Sequence, residues 1–144
     1  MLKPPSEGEN LVADYQHLGL SLGRHPMELL REPFNRLGVI SARRLRSMQS
    51  GASMYTAGLV ITRQRPSSAS GVTFVTLEDE TGYINLIVWQ TLAERQRRVL
   101  LGASLMGVRG LVQREDEVLH VIAHELDDHS HLLGQLVLPS RDFH

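Results

Sequence analysis

Between Tyr83 and Trp89 apolar side chains fall on every second residue, Ile84, Leu86 and Val88, with Tyr83, Asn85 and Ile87 between them. A period of two sends neighbouring side chains to opposite faces, so this segment must be a strand with one face buried. The same period runs from Met54 to Leu126, whereas the stretch before it has helical spacing. Within the alternating region, strands are predicted at Met54–Thr62, Val72–Leu77, Tyr83–Trp89, Ala103–Gln113 and Glu117–Glu125. Their connections are the loop Arg63–Gly71, with its Pro, Gly and serines, the turn Asp79-Glu80-Thr81-Gly82, and the acidic turn Arg114-Glu115-Asp116. Gln90–Leu101 interrupts the strands with a charged segment apolar at Leu92, Val99 and Leu100, which predicts one short helix ended by Gly102.

Three strands, a helix and two strands in about 70 to 75 residues match the small five-stranded Greek-key barrel called the OB-fold, with its helix between strands three and four. Mainly β architecture is therefore expected, with an OB barrel over 54–126, a helical segment over 1–53 and a tail over 127–144. In the first segment Leu11, Tyr15, Leu18 and Leu22 share a helix face, and a second helix is predicted from Pro26 to Arg36, with Pro26 in its first turn. Ser47–Ser53, small and polar, reads as a linker. The tail is apolar at Leu132, Leu133, Leu136 and Leu138 but rich in His and Asp, and its pattern specifies no element.

Composition narrows the chemistry. With no cysteine, disulfides, thiolate nucleophiles and Cys-containing zinc sites are excluded. Met1–Gln16 has no basic stretch leading into an apolar one, and nowhere do about 18 apolar residues run together, so a soluble cytoplasmic protein without membrane contact is expected. A formal charge of −1 argues against a protein that grips phosphate by charge alone. Lys3 is the sole lysine; the arginine preference suits base stacking and phosphate pairing, and suits a coding bias equally.

Gly71–Trp89, GVTFVTLEDETGYINLIVW, resembles the nucleic-acid-binding OB domain shared by class II aminoacyl-tRNA synthetases and the alpha subunits of bacterial C-family DNA polymerases. Glu7–Leu30 is similar to the segment joining the helix-hairpin-helix region of those polymerases to their OB domain, with GRHPMELL in place of their usual His-Pro-Leu motif. Ser140–His144, SRDFH, is similar to the end of the error-prone branch. The resemblance implies the C-terminal region of an error-prone alpha subunit, whose palm, PHP domain and most of the fingers would lie upstream. On that reading this chain is not itself an enzyme, its whole protein would be a DNA-directed DNA polymerase of damage-tolerant synthesis, and the upstream polymerase domains would be its neighbours.

Alternation assigns Val75, Leu77, Ile84, Leu86 and Val88 to the core and Phe74, Thr76, Tyr83, Asn85 and Ile87 to the outer face. Phe74 and Tyr83 are the candidate stacking platforms, since every base offers a π-face. The synthetase resemblance implies that Phe74 stacks on a base and Asn85 bonds a base edge. Arg63, Arg65 and Arg109 are the candidate backbone contacts. Over Met54–Glu125 seven arginines face eight Asp and Glu, so weak, salt-sensitive binding to single-stranded DNA is expected. A one-residue slip in register would instead bury Phe74.

Other residues have plainer readings. Asp79 closes the hairpin turn rather than serving as an acid. Trp89 is left out of the site, because packing on the adjoining helix explains it as well as stacking does. His120, His124, His129 and His131 match no metal-ligand spacing, and neither metal nor cofactor is expected. Arg95, Arg97 and Arg98 read first as a solvated helix face, with binding of a partner or of phosphate as the alternative. No Ser-His-Asp pattern or P-loop suggests catalysis. The alternative function is a protein-interaction module that docks the polymerase on other mutagenesis proteins or a sliding clamp, supported by near-neutral charge and the apolar tail. A freestanding tRNA-binding protein would fit Phe74–Asp79 alone but not the flanking segments.

Overall fold

The computed structural model describes residues 24–65 and 71–141, with the side chains of 137–141 left aside. The expected helix face of Leu11, Tyr15, Leu18 and Leu22 lies outside the described residues, as does most of SRDFH. Among the described residues two helices come first, α1 (Pro26–Arg36) and α2 (Ala42–Leu45). Then follow β1 (Ser53–Gln64), β2 (Thr73–Asp79), β3 (Gly82–Val88), α3 (Gln90–Arg95), α4 (Arg97–Gly102), β4 (Leu105–Glu115), β5 (Val118–Asp128) and α5 (His131–Arg141). The strands close into a barrel in the order β1-β2-β3-β5-β4, every pairing antiparallel except the parallel β3–β5. This is the expected five-stranded OB-fold, mainly β, with helical structure between β3 and β4 and helices ahead of the barrel. Among the described residues no helix is long and apolar enough to cross a membrane.

Val75, Leu77, Ile84, Leu86 and Val88, the predicted inner set, are all buried in the barrel interior with Met106, Val108, Val121 and Leu126. Closing five strands around so small a core requires sharp coiling. At the bulge between Arg109 and Gly110 the β5 backbone comes so close that a Cβ on Gly110 would lie 2.0 Å from the Ile122 carbonyl oxygen.

A second core lies outside the barrel. Met27, Leu30 and Phe34 of α1 and Leu133 of α5 are buried against Ala57 and Leu59 of β1 and Leu105 of β4, with Leu132 and Leu136 packed beside them. The apolar residues of the tail thus close over the chain's own barrel as a helix. Helix α1 starts with Pro26 in the first turn and the His25 ring accepting from the Met27 N–H at 3.0 Å. It stops in a Schellman arrangement, where Val39 N–H bonds Phe34 C=O and Gly38 N–H bonds Asn35 C=O. Gly38 takes φ +83° there, which a side chain would oppose.

Two expectations need correction. Ser47–Ser53 is no free linker: Gly51 N–H and Ala52 C=O bond Val112 of β4, and Ser50 Oγ accepts from the Arg114 N–H. The single helix over Gln90–Leu101 is two, broken at Gln96 (φ −116°, ψ 39°). The Gln96 amide donates to the Leu126 carbonyl and its oxygen accepts from the Leu126 N–H, both at 2.7 Å. Strand β3 ends before it can pair with this part of β5, and the glutamine side chain supplies the missing partner.

Candidate nucleic-acid interface

The outer surface of the barrel divides in two. One flank, on β1 and β4, is closed by α1 and α5. The other, formed by β2 and β3 with β1 and β5 beside them, carries no helix among the described residues. The register arranges it in rows: Gln64, Phe74, Ile87 and Ile122 run across one, and Thr62, Thr76 and Asn85 across the next. Glu78 and Tyr83 lead a third. Phe74 is 38% exposed and Tyr83 60%, so the outward set is the one that alternation assigns. Thr76 Oγ1 donates to Asn85 Oδ1 at 3.5 Å, which leaves the Asn85 amide hydrogens unspent on that bond.

The turn joining β2 to β3 is held from within the fold. Asp79 is buried, and its Oδ1 accepts from the Thr81 N–H (2.7 Å), the Thr81 hydroxyl (2.8 Å) and the Gly82 N–H (3.1 Å). Its Oδ2 accepts from the Ala42 N–H at the start of α2 (2.7 Å) and from Arg31 (3.3 Å). Asp79 therefore closes the turn, as its place in Asp-Glu-Thr-Gly predicts, and also fastens the turn to both preceding helices. Arg31 donates twice to Glu80, at 2.7 and 2.8 Å. Burial would raise the Glu80 carboxyl, but those bonds hold it below its ordinary value, and the same pair raises Arg31. The His25 ring, with Nδ1 occupied by its cap, turns Nε2 to Glu78 at 3.3 Å. The acidic end of the face is thus matched by basic groups of α1.

The arginines named from sequence part ways. Arg65 is exposed at the end of β1, beside the open face. Arg63 is half-buried and donates to the carbonyls of Leu100 (2.5 Å) and Ala103, closing the end of α4. Arg109 is on β4, which pairs with β1 and β5 and so adjoins neither β2 nor β3. Its guanidinium lies 4.0 Å over the Tyr55 ring, with Asp127 at 3.8 Å and Glu125 at 4.0 Å. The Tyr55 hydroxyl, pushed up to about 12 by burial and by the Asp127 carboxylate, bonds Asp127 (3.1 Å) and His129 (2.8 Å). Arg109 thus belongs to the flank of α1 and α5, away from Phe74 and Asn85.

Two contributors escape a local reading. The pairing of Leu86 with Val121 and Ile87 with Ile122 sets Ile122 beside Ile87 and brings His120, the residue before Val121, to the Asn85 end of that ladder. No local pattern signals a parallel partner. Trp89 follows Val88 in extended backbone, which continues the alternation from Tyr83, and it is 52% exposed rather than covered by a helix. Among the described residues no three His, Asp or Glu side chains gather as metal ligands.

A family model described as an OB-fold nucleic acid binding domain matches residues 55–128. The chain is 55% identical to an error-prone DNA polymerase of Alkalilimnicola ehrlichii and 52% identical to one of Methylococcus capsulatus, each over 99% of the chain. It spans only 14% of the length of either. Asparaginyl-tRNA synthetase of Pyrococcus horikoshii in complex with asparaginyl-adenylate shares the fold at 18% identity, with a TM-score of 0.52 over 63% of this chain and 22% of the synthetase. With a closed barrel in the order β1-β2-β3-β5-β4 and a family match over it, the chain belongs to the OB-fold nucleic acid binding domains, in the form found in the C-terminal OB-domain region of bacterial error-prone DNA polymerases.

Proposed function

We propose that this chain holds single-stranded DNA for an error-prone polymerase, as an accessory, non-catalytic module that steadies the template during damage-tolerant, mutagenic synthesis. One observation carries the reading: the flank of the barrel that α1 and α5 leave open bears two exposed aromatic rings, Phe74 and Tyr83, around the polar Asn85. An aromatic platform contributes roughly 1 to 3 kcal/mol per stacked base without regard to sequence, which suits a module that must accept damaged and undamaged templates alike. The near-neutral charge, −1 over the chain, makes the grip modest and dependent on salt. Polymerase activity would reside in the part of the longer relatives that this chain does not span. The apolar tail no longer favours docking on mutagenesis proteins or a clamp, because Leu132, Leu133 and Leu136 are engaged in the second core.

The test is fluorescence anisotropy of a labelled single-stranded oligonucleotide, at low and at near-physiological salt. Phe74→Ala should weaken binding by roughly 5- to 150-fold, the equivalent of one lost stacking platform, while its circular dichroism stays that of the parent. No binding by the unmutated chain at low salt would sink the proposal.

A further inference from the structure

Phe74 and Tyr83 do not end the row of exposed rings. Trp89 stands two residues beyond Ile87 in extended backbone and is 52% exposed. Alternation therefore sets Trp89, one residue past the end of β3, on the side of Tyr83 and Ile87, with Phe74 paired across from Ile87. The run from Tyr83 to Trp89 covers roughly 20 Å at strand rise, comparable to the few nucleotides that an OB-fold engages.

Just past Trp89 the surface changes character. A cleft of about 160 Å³ opens between the end of β1 and helices α3 and α4, with Thr73, Gln90, Arg65 and Arg97 in its wall. Arg63 is not available for a ligand, since its donors hold the carbonyls of Leu100 and Ala103 and so fix the wall itself. Arg65 and Arg97 are exposed, and among the described residues neither has an ion-pair partner. The one carboxylate in the wall, Glu94, accepts from the Gln90 amide at 3.1 Å. The two free guanidinium groups are thus placed where a strand leaving the last ring would carry its phosphates.

We infer that Trp89 is a third stacking platform and that Arg65 and Arg97 form a phosphate subsite beside it, so that the single strand runs from Tyr83 past Phe74 to the cleft at α3 and α4. The inference rests on the reading of the open face as a single-strand site, and it replaces Arg109 as the source of backbone charge. For Arg97 it takes the phosphate-binding alternative over that of a solvated helix face.

Trp89 is the only tryptophan in the chain, so its own emission reports on the subsite without a label. Unlabelled oligothymidylate is titrated into the full chain while tryptophan emission is followed, in parallel with anisotropy of a labelled copy. Quenching that saturates along with the anisotropy is the expected result. Trp89→Ala should weaken binding roughly 5- to 150-fold. The pair Arg65→Ala and Arg97→Ala should flatten the dependence of log affinity on log salt by about 1.4, two phosphates at about 0.7 each. Arg109→Ala should leave that slope unchanged. If anisotropy rises and Phe74→Ala abolishes it, yet Trp89 emission does not change and Trp89→Ala binds as the parent, the subsite is refuted while the open face stands. If the anisotropy never rises, both fall together.

Discussion

The break at Gln96 makes a quantitative prediction. Its side chain bonds both polar groups of Leu126, a residue only 1% exposed, at 2.7 Å each. Gln96→Ala removes both bonds and leaves a donor and an acceptor of β5 without their partner. Two ordinary hydrogen bonds are worth about 1 kcal/mol each, and groups left unpaired add to that, so a loss of roughly 2 to 3 kcal/mol is expected. For a chain of this size about 4 °C of melting temperature accompanies each kcal/mol, so the midpoint should fall by roughly 8 to 12 °C. Urea unfolding monitored by circular dichroism measures the loss, and hydrogen exchange at Leu126 localises it, with protection there falling further than in β2. Gln96→Glu sharpens the test. It keeps an acceptor for the Leu126 N–H but sets a carboxylate oxygen against the Leu126 carbonyl, so near neutral pH it should be no better than alanine. A change under about 0.5 kcal/mol in Gln96→Ala, with Leu126 still protected, would refute the view that this side chain completes the sheet.

Asp79→Ala should cost roughly 3 to 5 kcal/mol in urea unfolding, because it leaves the backbone donors of Ala42, Thr81 and Gly82 without their acceptor, while Arg31 keeps its pair with Glu80; Asp79→Asn, which retains one acceptor oxygen at the turn, should cost less. A second expectation concerns pH: burial lowers His129 from its ordinary 6.5, against the raising effect of Asp127. The unfolded chain therefore takes up this proton first as pH falls, and stability should drop from about pH 6.5 downward with a slope that His129→Gln reduces, as thermal melts between pH 7.5 and 5 would show.

Much of the barrel was legible because a period of two is a local property. It sorts Val75, Leu77, Ile84, Leu86 and Val88 from Phe74, Tyr83 and Asn85 without reference to anything distant. Which strands become neighbours is not local, and the errors lie there. Residue spacing cannot show that β4 meets neither β2 nor β3, which sets Arg109 apart from Phe74, nor that a parallel pairing brings β5, with Ile122 and His120, alongside β3. Gln96 looked like one more polar residue of a helix, since its reason for breaking the helix is an unpaired length of strand thirty residues later. The tail was opaque because Leu132, Leu133 and Leu136 acquire meaning only against Phe34 and Leu59. Trp89 is the exception: the alternation that sends Ile87 outward extends to it, while packing on the adjoining helix explains a tryptophan there equally well, so spacing alone does not choose.

The fastening of the β2–β3 turn bears on how the module would be aimed. His25, which caps α1, and Arg31 within it hold Glu78 and Glu80, and the first turn of α2 holds Asp79. A load on the chain ahead of Arg24 would pass through α1 straight to the hairpin that carries Phe74 and Tyr83. A loosely tethered module offers its ligand only a raised effective concentration, averaged over every direction it can swing. Coupled in this way, the hairpin would instead act as a rudder, turning as α1 turns and fixing the direction in which a strand leaves the rings.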